Sequence, residues 1–239
     1  MSYIYLKKEV KPKSSSKTQR KKILSGILLG IGVLFFLSAA FPIISFQLGY
    51  SAKFKQIIDP LSVESYDRSS SILGSMTTDY TQLSNWFVDD PNKLSSKILS
   101  SDNQTTYYIS IPKLNIKNAV VTVGSMDLKK SLIQYPQTAL PGQLGNAVVF
   151  GHSVLPQFFN SKSYLTIFST LYKLQQGDEI VVTFDKSTYK YVVDEMYEVQ
   201  PTDLSVLEQR FDTKNLTLIT FSPPGTTLRR LVVKAELAL

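Results

Sequence analysis

Residues Leu216 to Val233 read LTLITFSPPGTTLRRLVV. An apolar run ending at Phe221 stops at Ser222-Pro223-Pro224-Gly225 and resumes as a second apolar run behind Arg229 and Arg230. Such runs on either side of a Pro-Gly turn predict two strands joined at a tip. A strand tip is a common mount for a reactive side chain, because it faces the loops where binding happens. Here the tip carries Phe221, whose ring offers no nucleophile, no proton and no lone pair. Side chains alternate along a strand, so Thr220 and Ser222 are expected to point away from the face of Phe221, and Arg229 away from that of Arg230. Of the two hydroxyls, Ser222 has the better chance of being re-aimed, since the prolines end the strand beside it.

Working outward, the chain from Thr106 onward divides into short β-rich segments with turn residues between them. These are YYISIPKLNI (Tyr107–Ile116, broken at Pro112), NAVVTVG (Asn118–Gly124), GNAVVFGH (Gly145–His152), GDEIVVTF (Gly177–Phe184) and STYKYVVDEMYEV (Ser187–Val199), followed by the two strands of the tip. SYLTIFSTLYKL (Ser163–Leu174) has the apolar spacing of a short helix, with strand as its rival. About seven strands with little helix predict a sandwich or a closed barrel.

The 239 residues are 43% hydrophobic, with 13 Tyr and 13 Phe, which allows one packed domain plus additional segments. The net charge of +7 sits in residues 1–22, where eight Lys and Arg face the single acid Glu9. The remaining chain is neutral and carries no electrostatic footprint for a nucleic-acid backbone. Cysteine is absent and His152 is the only histidine, which excludes disulfides, thiol nucleophiles and Cys/His-ligated metals. No cofactor is indicated; an oxygen-ligand calcium site remains possible in principle, but no acidic loop with EF-hand spacing is present.

Next to the basic tail, Ile23 to Phe46 is a run of 24 residues without a charge. At ~1.5 Å per residue it reaches ~36 Å, enough to cross a hydrocarbon core. Basic residues on its N-terminal side predict a cytoplasmic tail at 1–22, a transmembrane anchor at 23–46 and an external remainder. A cleaved secretion signal ending near Ser38-Ala39-Ala40 is the rival, disfavoured because the apolar run continues beyond it. Residues 47–105 read as a stalk or loosely structured linker in which Trp86 is a packing anchor for the domain at 106–239.

Two residues of this domain can do acid–base or electrostatic work. His152 ends an apolar strand after Gly151, a position suited to a general base or acid, although a strand-edge histidine without a role is the commoner case. Arg230 leaves the Pro-Pro-Gly turn and could stabilise an oxyanion, or merely solubilise a strand edge.

Taken together, TALPGQLGNAVVFGHS (Thr138–Ser153), TLITFSPPGTTLRRLVV (Thr217–Val233), YISIPKLNI, LYKLQQGDEIVV and YKYVV resemble, in order, the segments of the sortase family, membrane-anchored cysteine transpeptidases of the bacterial surface. The resemblance covers about Thr106 to Leu239. It implies a mainly β fold: a closed, sortase-like barrel of about eight strands with short helices, preceded by one N-terminal transmembrane helix. It puts His152 at the family's catalytic histidine, Arg230 at its catalytic arginine, and Phe221 where the nucleophilic cysteine stands, nine residues before the arginine. The family cleaves LPXTG-like sorting signals through a thioacyl intermediate, resolved by an amine of a cell-wall precursor or a pilin. Without a thiol that chemistry cannot run, so the expectation is a catalytically impaired, peptide-binding or assembly protein on the bacterial plasma membrane. The alternative is a transpeptidase or hydrolase that uses Ser222 as its nucleophile. Cysteine and phenylalanine codons differ by one base, so a recent loss at position 221 is a third reading.

Overall fold

The computed structural model describes residues 16–51, 78–86 and 105–238. The expected tail as far as residue 15, and stretches 52–77 and 87–104 of the expected stalk, lie outside the described residues. The chain forms two units, Met1–Ala52 and Lys53–Leu239.

In the first unit, Ser16–Ser51 is a single helix, α1. Its stretch Lys22–Phe46 is long and apolar enough to cross a membrane. Apolar residues lie on every side of this helix, the pattern of a segment with no polar solvent to face.

The second unit is a closed barrel. Its strands are β1 (Thr106–Ile111), β2 (Ile116–Val123), β3 (Leu132–Gln134), β4 (Gly145–Phe150), β5 (Glu179–Phe184), β6 (Ser187–Val199), β7 (Lys214–Ser222) and β8 (Arg229–Leu237). Around the barrel they run β1-β2-β3-β4-β7-β8-β6-β5, and β5 returns to pair with β1. The β2/β3 and β4/β7 pairs are parallel and the others antiparallel. This is the mainly β, eight-stranded barrel expected from the sequence, with one strand, β3, that pattern alone did not reveal. SYLTIFSTLYKL is a correction: it forms neither α-helix nor strand but a series of turns ending in a 3-10 turn at Leu171–Lys173. Its apolar residues Ile167, Phe168 and Leu171 are buried, so the spacing reported burial rather than helix.

Every residue of β4 is buried, as are the last seven of β7, which is why both read as continuous apolar runs rather than alternating ones. Val148 and Phe150 of β4, Ile219 and Phe221 of β7, and Val232 of β8 share one face. Leu83, Trp86, Leu128 and Val206 cover that face and complete a core cluster with it. Leu83 and Trp86 belong to the segment Thr78–Trp86, within the expected stalk. This segment is tied to the loop before β3 by Leu83 N–H donating to the Met126 carbonyl (2.9 Å) and Leu128 N–H to the Thr81 carbonyl (2.9 Å). Trp86, wholly buried, is therefore a packing anchor for the barrel.

Candidate functional site

The strand register decides where the tip's side chains go. Phe221 of β7 lies directly opposite Arg230 of β8, and Ser222 opposite Arg229. Cross-strand partners share a face, so one face of the tip carries Phe221 and Arg230 while the other carries Ser222 and Arg229. Alternation had predicted this division.

On the first face Phe221 is buried, with 1% exposure. It stacks on the Trp86 indole at 4.0 Å between centroids and 29° between planes. The rings of Tyr80 and His152 meet Phe221 edge-on, each at 5.6 Å. The Arg230 guanidinium lies over two aromatic rings, 4.8 Å from the Phe221 centroid and 5.3 Å from that of Trp86. Its Nη1 donates to the Thr227 and Arg229 carbonyls at 3.1 and 3.2 Å, and its Nη2 to the Trp86 carbonyl at 2.6 Å. Among the described residues no carboxylate forms an ion pair with Arg230. Burial without a counter-charge pulls its pKa down to about 10, so the group remains a cation at neutral pH.

His152 follows β4. Its Nδ1 lies 2.7 Å from the Leu165 carbonyl. A carbonyl only accepts, so Nδ1 carries the proton and the neutral ring keeps its lone pair on Nε2. Burial holds the His152 pKa below its ordinary value, while the Leu165 carbonyl and the charge of Asp79 act in the opposite direction. The preceding glycine is required by packing: a Cβ at Gly151 would lie 2.2 Å from the Phe168 ring.

A groove of about 800 Å³ runs beside these residues, lined among others by His152, Ser153, Leu155, Phe158, Phe221 and Thr227. Gly225, at φ +82°, lets the turn close onto Leu155, where a Cβ would come within 2.8 Å of that side chain.

On the opposite face the Ser222 hydroxyl is fully buried and donates to Glu198 Oε1. Glu198 also faces Arg229, with 3.6 Å between Oε2 and Nη1. Thr220 donates to the Gly151 carbonyl at 2.8 Å. Both hydroxyls near the tip are thus committed on the far side from Phe221. The structure brings His152, Phe221 and Arg230 together and leaves Ser222 apart from them. Tyr80 and Glu198 were not anticipated; no local pattern marks either, since both act through contacts distant in sequence. Among the described residues no group of three or more His, Asp or Glu is placed to hold a metal ion.

The family model of the sortase domain matches residues 109–238, more than half of the chain. This chain belongs to the sortase family. Among curated relatives, sortase A of Listeria monocytogenes is 34% identical over 71 residues, a match spanning 30% of this chain and 32% of that relative's length. Sortase A of Bacillus anthracis is 26% identical over 196 residues, covering 80% of this chain and 85% of the relative. Among solved structures, a Clostridium perfringens sortase D5 transpeptidase superposes with a TM-score of 0.50 at 30% identity, covering 60% of this chain and 86% of that one. Within this sortase-family barrel the tip of β7 ends in an aromatic stack, with no cysteine anywhere in the sequence.

Proposed function

We propose that this sortase-family chain is a membrane-anchored, non-catalytic member that holds sorting-signal-like peptides of surface proteins. The observation that carries this reading is Phe221, closed between Trp86, Tyr80, His152 and Arg230 at the position that corresponds to the family's nucleophile. Covalent acyl transfer needs a nucleophile within hydrogen-bond reach of its activator, and a phenyl ring supplies none. Arg230, at the position of the family's oxyanion donor, gives Nη2 to the Trp86 carbonyl instead.

His152 and the groove beside it support retained peptide binding: an acceptor nitrogen lies next to Val154, Leu155 and Phe158, surfaces suited to an extended apolar peptide. The apolar helix supports anchoring in the bacterial plasma membrane, with the basic tail in the cytoplasm and the barrel outside. On this reading an amine acceptor, whether cell-wall precursor or pilin, is not consumed. The serine alternative is disfavoured by direction, because the Ser222 hydroxyl is engaged with Glu198 on the opposite face of the tip.

The test uses the full chain in detergent with a fluorogenic LPXTG-type peptide. The expected result is binding without cleavage, and cleavage once Phe221→Cys restores a thiol beside His152. Cleavage by the unaltered chain that disappears on Ser222→Ala would overturn the proposal and make the protein a serine enzyme.

A further inference from the structure

The donor edges of Arg230 are used unequally. Nη1 is saturated by two backbone carbonyls. The other edge of the fork consists of Nε and Nη2, whose N–H bonds run parallel and together match the two oxygens of a carboxylate. On that edge Nη2 meets the Trp86 carbonyl at 2.6 Å, and Nε, fully buried, has no acceptor among the described residues. A buried donor left unmatched costs about 1–3 kcal/mol. Here it belongs to a cation that is 2% exposed and forms no ion pair among the described residues. A two-point anion receptor is thus occupied at one point by a neutral carbonyl.

The surroundings indicate which anion fits. The groove comes up to the guanidinium, because two of its lining residues touch that group: Phe221 lies beneath its plane and the Thr227 carbonyl accepts from Nη1. Tyr80 also lines the groove and belongs to the same turn as Trp86, whose indole N–H donates to the Tyr80 carbonyl at 2.8 Å. A ligand that draws this turn aside would take the covering carbonyl from Nη2 and leave that edge to be filled. The remaining wall is apolar or hydroxylic apart from Asp79, whose carboxylate accepts from Thr81 and pairs with Lys129 at 3.5 Å, and the His152 ring is neutral. A peptide can lie there with its single charge at the arginine.

We propose that the ligand of this groove is a peptide presenting a carboxylate, which displaces the Trp86 carbonyl and closes on both Nε and Nη2 of Arg230. The proposal rests on the peptide-binding reading above and narrows it. Where that carboxylate is a chain end, the class of reaction that supplies it is hydrolysis of a peptide bond.

Trp86 is the only tryptophan in the sequence, so its emission reports directly on the contact to be displaced. The full chain in detergent is titrated with three unlabelled probes: Leu-Pro-Ala-Thr with a free C-terminal carboxylate, the same peptide as its C-terminal amide, and Leu-Pro-Ala-Asp amide. The expected result is at least roughly tenfold tighter binding of an acid-bearing probe than of the neutral amide, with a red shift of Trp86 emission that the amide does not produce. The free-acid and aspartyl probes separate a chain end from an acidic side chain as the source of the carboxylate. In Arg230→Gln, if its melting curve shows it folded, the preference disappears; the comparison of probes on the unaltered chain stands without it. Equal binding of acid and amide would overturn the carboxylate assignment while leaving peptide binding intact. Failure of all three probes to bind would overturn both.

Discussion

The two faces of one hairpin tip carry adjacent arginines with opposite surroundings. Arg229 has an acid opposite it, Glu198, which also accepts from Ser222 and closes a circuit of hydroxyl, carboxylate and guanidinium. Arg230, one residue on, is deeper and among the described residues has no acid, only carbonyls and two aromatic rings. The comparison teaches that the number of hydrogen bonds is a poor guide to which face is finished. The Arg229 face is electrically neutral and needs nothing further. The Arg230 face holds a net charge in the drier place, which is where a ligand gains most from supplying the missing sign.

The largest expected effect comes from Trp86→Ala, which removes the indole from a wholly buried stack. A loss of about 3–5 kcal/mol in chemical denaturation is expected, and a loss below about 1 kcal/mol would break the picture of a packed Arg230 face. Glu198→Ala takes from the other face the carboxylate that accepts from Ser222 and faces Arg229. It should cost about 1.5–3 kcal/mol without reducing the affinity of any peptide; a fall in peptide affinity would show the two faces to be coupled. Arg229→Ala should be nearly silent, about 0.2–1 kcal/mol, because the ion pair is long and partly exposed.

The smallest effect is a pH dependence. The folded pKa of His152 is depressed by burial, so the unfolded chain takes up a proton first as pH falls. Stability is then full above about 6.5, the ordinary histidine value, and declines as pH falls from there toward the lower folded value. With one histidine in the chain, melting curves between these limits should flatten in His152→Gln. An unchanged slope would assign the effect to carboxylates instead.

Much of this was legible in the sequence, for reasons that differ by element. β6 was readable to its end residues because its β-branched and aromatic content is sustained and punctuated by turns. β3 was not, since a three-residue strand is too short to show a period. In Ser163–Leu174 the apolar residues are spaced by the demands of the core beneath a chain of turns, and the helical spacing misled. At the site, alternation alone separated Phe221 and Arg230 from Ser222 and Arg229. The covering of Arg230 was not readable: the carbonyl that caps it lies 144 residues away in the chain, and a backbone acceptor leaves no trace in side-chain pattern. The same applies to Glu198, 24 residues from the hydroxyl it holds.

The place of β8 in the barrel has a biosynthetic consequence. It is the last of the eight strands to be made, yet it lies between β7 and β6, not at an edge. A nascent chain that has emerged only as far as the Pro-Pro-Gly turn has β6 and β7 each waiting with an open flank and cannot close the ring. Arg230 arrives on the strand that fills this gap, so the candidate site and the finished barrel come into being in the same step. Partly synthesised or C-terminally clipped copies would therefore lack the arginine and also present two unpaired strand flanks, the condition in which β proteins are most readily degraded or drawn into aggregates.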